Sequence, residues 1–504
     1  MKLNQLVIGA LLLLVQPMAA LAVRVEFELI PGALSADDMS PDGRFIVGWL
    51  DGNGDGLPDG IYRWDRTEPE PIPLPSPGMS AVAISDDGSV VVGDLPDPSG
   101  VGSNVAGRWT EATGWQSLGH LPNAGACPSR SDSYEVSADG ETVIGLSWDG
   151  CSGRGFVWTQ DTGMQELQNL ANGNNRASVI SGDGSIIGGF AQGSFSRTPA
   201  VWSNDTSGVL IDPPNGDDLG EIHGIRDDGS VLLGNISDQS SSPLAAKWTA
   251  TPNGWEHEQI ANGSLLPGWS GIPLDIADND TIVGFDVLLG NRRAWIQPEG
   301  EGPLVELKSY FESNGATIPQ GLLIEVPQAI SADGHFIVGH GFGTGAWIAT
   351  LIDDCDFDGD LSCDVGDIDA LVDAIVNQSS DPLYDLNGDG NVDLADRDEW
   401  LAQAGALNLS SGNAYLLGDI NLDGTVDGTD FIAWNSNKFG TTGSWSAGDL
   451  NADGFTDGVD FVLWNSNKFQ SADTVAVPEP ASGLTGLCAG LMLVGLRSSR
   501  RRRG

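Results

Sequence analysis

The sequence predicts a mainly β chain: a seven-bladed β-propeller closed by its own N-terminal strand, followed by a small α-helical region built on acidic loops. Three observations carry this expectation. One pattern recurs seven times between about Met39 and Ile348. A strand-like segment that the last repeat lacks stands at the opposite end of the array. Beyond residue 350 the chain turns acidic, and oxygen-bearing side chains recur there at fixed intervals.

The first half of each repeat is a small polar residue, an Asp-Gly turn and a short apolar run ending in glycine. The seven copies read SPDGRFIVG from Ser40, SDDGSVVVG from Ser85, SADGETVIG from Ser137, SGDGSIIGG from Ser181, RDDGSVLLG from Arg226, ADNDTIVG from Ala277 and SADGHFIVG from Ser331. The second half ends in tryptophan, at Trp64, Trp109, Trp158, Trp202, Trp248, Trp295 and Trp347. Asp-Gly between apolar runs signals a hairpin, because the turn needs φ > 0. The runs are short and β-branched. Units 44 to 54 residues apart, with about four short strands each, describe propeller blades. The sixth unit has Asn279-Asp280 where the others have Asp-Gly. The regular position of the tryptophans marks them as structural.

Most units continue past the tryptophan into a fourth strand: GWQSLG, GMQELQNL, GVLID, GWEHEQIA and PLVELKSY. The last unit stops at Ala346-Trp347-Ile348. The segment Val25–Ile30, VEFELI, supplies the missing strand. Closing the ring this way removes exposed strand edges. An open β-solenoid or a pair of sandwiches is the alternative. The repeats resemble the extracellular HAF repeat family, whose units pair an SxDGxxVVG half with an AFxWT half. That resemblance implies a secreted β-repeat domain.

The formal net charge of −47 over 504 residues argues against a nucleic-acid partner, since phosphates would be repelled. Met1–Ala22 reads as a secretory signal: Lys2, an apolar core at Leu6–Val15, and Ala20-Leu21-Ala22 before the cut. A membrane anchor is the alternative for this short run. The mature chain then starts near Val23, where disulfides persist. Of five cysteines, Cys127 pairs with Cys151 and Cys355 with Cys363, leaving Cys488 alone in the tail. Zinc is the alternative for these cysteines, but no CxxC or histidine cluster accompanies them. The five histidines, His120, His223, His257, His335 and His340, adjoin no nucleophile signature such as GxSxG. Glu221, Glu256 and Glu258 carry no mark that separates them from surface charge. No catalytic residue is assigned.

From Asp353 to Asp473, 25 acids face three bases (Arg397, Lys438, Lys468), a balance of −22. The acids are spaced, not blocked, and apolar residues lie between them. Loop two begins at Asp385 and offers Asp385, Asn387, Asp389, the Asn391 backbone, Asp393 and Asp396 at positions 1, 3, 5, 7, 9 and 12. Loop three offers Asp419, Asn421, Asp423, Thr425, Asp427 and Asp430; loop four offers Asp449, Asn451, Asp453, Phe455, Asp457 and Asp460. Each has glycine at position 6. Calcium takes six to eight oxygens, and this spacing delivers them. Loop one is expected to begin at Asp354, with Asp356, Asp358, Asp360 and Gly359 following. Its second half fits after an insertion of Ser362-Cys363, which puts Asp364 and Asp367 at positions 9 and 12. Cys355 and Cys363 would clip this enlarged loop. A further acidic hairpin, with Asp51, Asn53, Asp55 and Asp59 around Gly56, resembles the DxDxDGxxD loop that carries calcium on integrin α-chain propellers.

Aspartate at position 12, a helix only after each loop, and loop starts 34 and 30 residues apart resemble the type I dockerin module, whose EF-hand-like loops pair. Loop one should pair with two, and three with four. Apolar stripes Ile368/Leu371/Val372/Ile375 and Phe431/Trp434/Phe439 belong to the helices that follow. The resemblance implies docking onto a cohesin, often in the service of glycoside hydrolases. The chain departs at positions 10 and 11, with Leu394-Ala395, Gly428-Thr429 and Gly458-Val459 where cohesin contacts carry Ser or Thr. The tail, Val477-Pro478-Glu479-Pro480, then apolar Ala481–Leu496, then Arg497 and Arg500–Arg503, resembles the PEP-CTERM sorting signal read by an exosortase. That implies transient membrane insertion and delivery to the outer cell envelope. A simple anchor is the alternative.

The expected domains are a signal peptide (1–22), the propeller (23–350), dockerin-like repeats (351–473) and the sorting tail (474–504). The expected function is that of a calcium-stabilised, non-enzymatic surface protein used for recognition or scaffolding, with an envelope protein or polysaccharide as ligand. A carbohydrate-active enzyme carrying a dockerin is the alternative, which two converging acids in the propeller channel would favour.

Overall fold

A computed structural model describes residues 23–473 except 99, 101–102, 123–126, 149–150, 194–196, 212–218, 238–241 and 301. The signal peptide, Cys488, Pro478, Glu479, Pro480 and the expected membrane span at Ala481–Leu496 lie outside the described residues. Among the described residues no helix is long and apolar enough to cross a membrane. The chain divides into two compact units, Met1–Ile352 and Asp353–Gly504.

The first unit is a seven-bladed propeller: seven four-stranded antiparallel sheets, one per repeat. In the seventh blade, strands Val326–Ile330, Phe336–Gly341 and Gly345–Asp353 are completed by the N-terminal strand Val23–Leu29. The Ser-x-Asp-Gly signature builds each inner hairpin. Ser40 Oγ donates to Asp42 Oδ1 at 2.6 Å and accepts from the Phe45 amide at 2.9 Å. The same two bonds recur at Ser85, Ser137, Ser181 and Ser331. The hairpin glycine is needed twice over. Gly43 has φ +70°, and a β-carbon there would strike the Phe336 ring of the preceding blade. Gly88 (φ +66°) abuts Phe45 in the same way. The turn therefore also sets the distance between blades.

At five of the seven junctions one backbone bond links the residue after a repeat's first position to its neighbour. The amides of Asp86, Ala138, Gly182, Asp278 and Ala332 donate to the carbonyls of Ala138, Gly182, Asp227, Ala332 and Pro41 at 2.7–3.1 Å. Pro41 has no N–H to give the second blade. At that junction Asp38 Oδ2 accepts from the Ile84 amide at 2.8 Å. The junction between blades five and six instead carries an ion pair of Arg226 and Asp280. These are the two irregular repeats: arginine stands in the serine place of one, and aspartate (φ +65°) in the glycine place of the next.

Four of the seven repeat tryptophans, Trp202, Trp248, Trp295 and Trp347, are at most 1% exposed, and Trp64 is buried too. The fourth strand expected at PLVELKSY is present but short. Only Val305–Glu306 is strand, and the chain turns into helix α1, Leu307–Ser313. Leu307 and Phe311 lie one turn apart and bury completely. Phe311 meets Trp347 edge-on at 5.7 Å and Phe27 at 6.0 Å, so packing at the closure outweighs strand propensity.

The second unit is helical: α2, Val365–Val376; α3, Leu394–Asn408; α4, Gly428–Asn437; α5, Gly458–Asn467. Each follows an acidic loop and starts in a capping box of two aspartates. One core spans all four, with Trp400, Trp445, Leu371 and Leu450 fully buried. The stripe of α4 is corrected at one point. Phe431 and Trp434 pack inward, but Phe439 lies past the helix end at φ +67° and is 84% exposed. Its twin Phe469 has φ +64° and is 78% exposed.

Loops three and four are cross-wired. The Phe439 amide donates to Thr456 O in loop four and the Phe469 amide to Val426 O in loop three, both at 2.6 Å. Trp434 Nε1 donates to Asp457 O and Trp464 Nε1 to Asp427 O. Each helix thus holds the other helix's loop.

Candidate functional site

The acidic loops share one internal scaffold. In loop three, Asp419 at position 1 accepts from the amides of positions 5 and 6: Asp423 N at 3.1 Å and Gly424 N at 2.8 Å. Asp430 at position 12 reaches back to the amides of Ile420, Asn421 and Asp427 at 2.7–3.3 Å. Loop four repeats this with Asp449 and Asp460. Loop two does so with Asp385 and Asp396. Asp423 and Asp453 each take one further amide, at position 7, and Asp389 takes that of Asn391. Asp393, Asp427 and Asp457, at position 9, cap the following helices. Asn387, Asn421 and Asn451 accept from the amides of Asp389, Asp423 and Asp453. Thr425 and Phe455 occupy position 7, where the backbone carbonyl is the donor.

Loop one obeys the same rules two residues later than the sequence reading placed it. Asp356 Oδ2 accepts from Leu361 N at 2.8 Å, the bond that position 1 makes to position 6. Asp367 accepts from Phe357, Asp358 and Asp364 amides. The loop is therefore Asp356–Asp367, twelve residues with no insertion. Asp358, Asp360 and Asp364 stand at positions 3, 5 and 9, and Asp354 lies outside it. Gly359 misled the alignment: it is at position 4, and position 6 is Leu361 with φ +70°. Asp356 and Asp367 are each 1% exposed. The oxygens of Asp356, Asp358 and Asp367 lie within 4.8 Å of one another, the only such carboxylate trio among the described residues. The disulfide Cys355–Cys363 spans this loop, with Cα atoms 5.4 Å apart. Cys127 and Cys151 are joined in the propeller, at 5.3 Å.

The first-blade hairpin copies the front half of this scaffold. Asp51 accepts from Gly54, Asp55 and Gly56 amides at 2.7–3.0 Å, and Asp55 from Leu57. Asp59 accepts from both the Asn53 amide and its side chain. It has no position 12 and is largely solvent-exposed.

Burial without a counter-charge pushes Asp419 up to about 7, and Asp449 and Asp367 up to about 6. Asp430 and Asp460 also rise, for the same reason. An all-oxygen donor set around buried carboxylates fits a hard divalent cation. Calcium would be held by Asp356, Asp358, Asp360 and Asp367 in loop one and by the corresponding positions of the other three.

A second acidic site was not foreseen. The propeller channel is lined by Asp38, Glu135 and Asp275, which occupy the same place two residues before the first position of repeats one, three and six. Asp275 Oδ2 accepts from the Ile330 amide of the next blade at 2.8 Å, as Asp38 does from Ile84. Burial raises Asp38 to about 8, with Asp275 and Asp37 adding repulsion. Burial likewise raises Asp275 and Asp37 to about 7 and drives Glu135 well above the carboxylate range. A cavity of about 200 Å³ opens beside them. Five innermost strands have a β-bulge at one register, turning Tyr134, Ser178, His223, Leu274 and Gln328 toward it. His223 is held below its usual range by burial. Toward the hairpin end the channel is ringed by Asp86, Asp227 and Asp278. Period analysis at that one register would have found the trio; hairpin motifs hid it.

Of the acids weighed from sequence, Glu221 alone joins a cluster. Arg197 lies 2.7 Å, Arg176 3.3 Å and His223 3.7 Å from it. Glu256 and Glu258 sit exposed on an outer strand.

No family model matches the chain, and no curated protein matches it. Solved structures do. The chain is similar to oligogalacturonate lyase from Vibrio parahaemolyticus, with 12% identity, 65% of this chain and 97% of that one covered, and a TM-score of 0.44. For the β-propeller domain of the Trilobed protease from Pyrococcus furiosus the values are 9%, 63%, 95% and 0.41. For putative TolB from Agrobacterium tumefaciens they are 17%, 48%, 89% and 0.33. The likeness is one of fold.

Proposed function

We propose that this chain is a calcium-stabilised, non-enzymatic protein of the outer cell envelope or extracellular space. The observation that carries the reading is the recurrence of one twelve-residue acidic scaffold four times in succession. In each, carboxylates at positions 1 and 12 are oriented by backbone amides, and all of them but the half-buried Asp385 are buried. Such groups need a counter-charge, and millimolar-range extracellular calcium keeps such sites filled without a sensing role. The second unit is a dockerin-like docking module, and the propeller of HAF-like repeats is the recognition or scaffolding surface. Its ligand is an envelope protein, a cohesin-like partner or a polysaccharide. The N-terminal signal exports the chain, and an exosortase-type enzyme acts at Pro478-Glu479-Pro480. The test is a glycan and envelope-protein binding screen of the exported chain with and without calcium. Calcium-dependent retention of one ligand class is expected; no retention in either condition overturns the recognition role.

The enzyme reading retains one specific support. Asp38, Glu135 and Asp275 are perturbed carboxyls facing a cavity, the setting in which acid–base groups occur. Reducing-sugar release from plant or algal polysaccharides, abolished by Glu135→Gln, would replace the scaffold reading with a carbohydrate-active one.

A further inference from the structure

Loop one differs from its three siblings in two ways that offset each other. Position 6 must adopt a left-handed backbone for its amide to reach the position-1 carboxylate. Gly390, Gly424 and Gly454 do this at φ 83–87°. Leu361 does it at φ +70° with a β-carbon, a conformation that is strained for an L-residue. Loop one is also the only one of the four loops bracketed by a disulfide. Cys355 precedes position 1 and Cys363 is position 8, the place taken by Val392, Val426 and Thr456 elsewhere. The crosslinked span contains Asp356, Asp358, Asp360 and Ser362, the whole front half of the donor set. Both cysteines are buried, and both are tied to α3: Trp400 Nε1 donates to Cys355 O and Asn408 Nδ2 to Cys363 O, each at 2.8 Å.

We propose that the Cys355–Cys363 disulfide preorganises loop one for calcium, replacing the glycine that the other loops use, so that calcium affinity at this loop alone depends on the crosslink. The proposal rests on the calcium reading above. Its physical basis is entropic. A short closed loop has fewer conformations to lose when its carboxylates converge. The strained leucine turn is thereby kept without calcium's help. The convergence of Asp356, Asp358 and Asp367 within 4.8 Å is the expected geometric result.

The test is a chelator-competition titration of the calcium-loaded full chain, comparing wild type with Cys355→Ala/Cys363→Val, which leaves Cys127–Cys151 intact. Asp356→Asn identifies the loop-one component by deleting it. The double variant should weaken that component about tenfold or more and leave the others unchanged. Adding Leu361→Gly to it should restore most of the loss. Superimposable titrations, equal weakening of every component, or no rescue by glycine would overturn the proposal. Leu361→Gly in the disulfide-bonded chain provides an arm that needs no cysteine change. It should alter loop-one affinity less than threefold, because the crosslink already holds the turn; tenfold tightening would overturn the idea. If no component binds calcium in wild type, it is the calcium reading itself that has failed.

Discussion

The two units bury aspartates in opposite ways. In the helical unit the buried carboxylates of the acidic loops accept from their own loop's backbone amides, and the following helix is capped by the same loop. In the propeller channel Asp38 and Asp275 each accept from a backbone amide of the next blade. Burial pushes the channel acids toward their protonated form, whereas the calcium proposed above would offset the burial of the loop acids. One residue type thus serves two units under different solution conditions.

That contrast can be broken in four ways, from the largest effect down. Calcium removal comes first. EDTA should unfold residues 353–473 and leave the propeller folded, read as loss of the helical circular-dichroism signal and of amide protection in that region. Unchanged melting of the helical unit with EDTA would place the loops with ordinary acidic turns.

Next, the same substitution should act with opposite signs. Asp419→Asn removes a ligand and an anchor of Gly424, and should lower the calcium-loaded stability of the helical unit by about 2–4 kcal/mol. Asp38→Asn with Asp275→Asn keeps an acceptor for Ile84 and Ile330 without a charge, and should raise the propeller's melting temperature by several degrees at pH 8. A loss in both places would erase the distinction.

The pH dependence follows with its sign. The channel carboxyls have folded pKa values above their unfolded ones, so their favourable contribution is complete below about pH 4 and is lost as pH rises through about 7–8. Asp205 and Asp333 go the other way, held near 2 by serine and histidine hydrogen bonds and related contacts, and their contribution is lost only below about pH 4. Propeller melting should therefore peak on the mildly acidic side and decline by pH 8. The Asp38→Asn/Glu135→Gln/Asp275→Asn chain should be flatter between pH 5 and 8. An identical slope in both would locate the titration elsewhere.

The smallest effect is at the Arg226–Asp280 junction. Arg226→Ser should cost about 1 kcal/mol, as for a partly exposed ion pair. Adding Asp280→Gly, which restores the regular turn residue, should recover much of it. Additive losses in a double-mutant cycle would show that the two irregular repeats are independent.

The blades were legible because their signal is local. Ser40 and Asp42 close their own hairpin, and Gly43 needs its backbone angle whatever surrounds it. The closing strand was legible because a missing strand and a spare one sit at opposite ends. Helix α1 was not, since its apolar spacing over Leu307 and Phe311 is too short to outweigh a strand-like prefix, and Trp347 and Phe27 decide it from afar. Loop one was misplaced because Gly359 looks like the glycine of position 6. The hydrogen bonds of Asp356 and Asp367 fix the register instead, and these involve no sequence signal beyond a count of twelve. The channel acids were invisible for a different reason: Asp38, Glu135 and Asp275 are some 97 and 140 residues apart, and only the ring brings them together.

The closure of blade seven also sets a timetable. The strand Val23–Leu29 leaves any ribosome or export channel ahead of the other described strands, and its partner Gly345–Asp353 follows more than 300 residues later. Until then it is an unpaired edge with no sheet to join. The contact that seals the ring is among the longest-range in the fold, and long-range pairing is slow. Blades two to six can form as the chain arrives, two to five packing on the one before through a hairpin glycine and six through the Arg226–Asp280 pair. The ring stays an open arc until the propeller's last residues arrive, so a chain truncated before Gly345 should persist as a protease-sensitive arc and not as a smaller propeller.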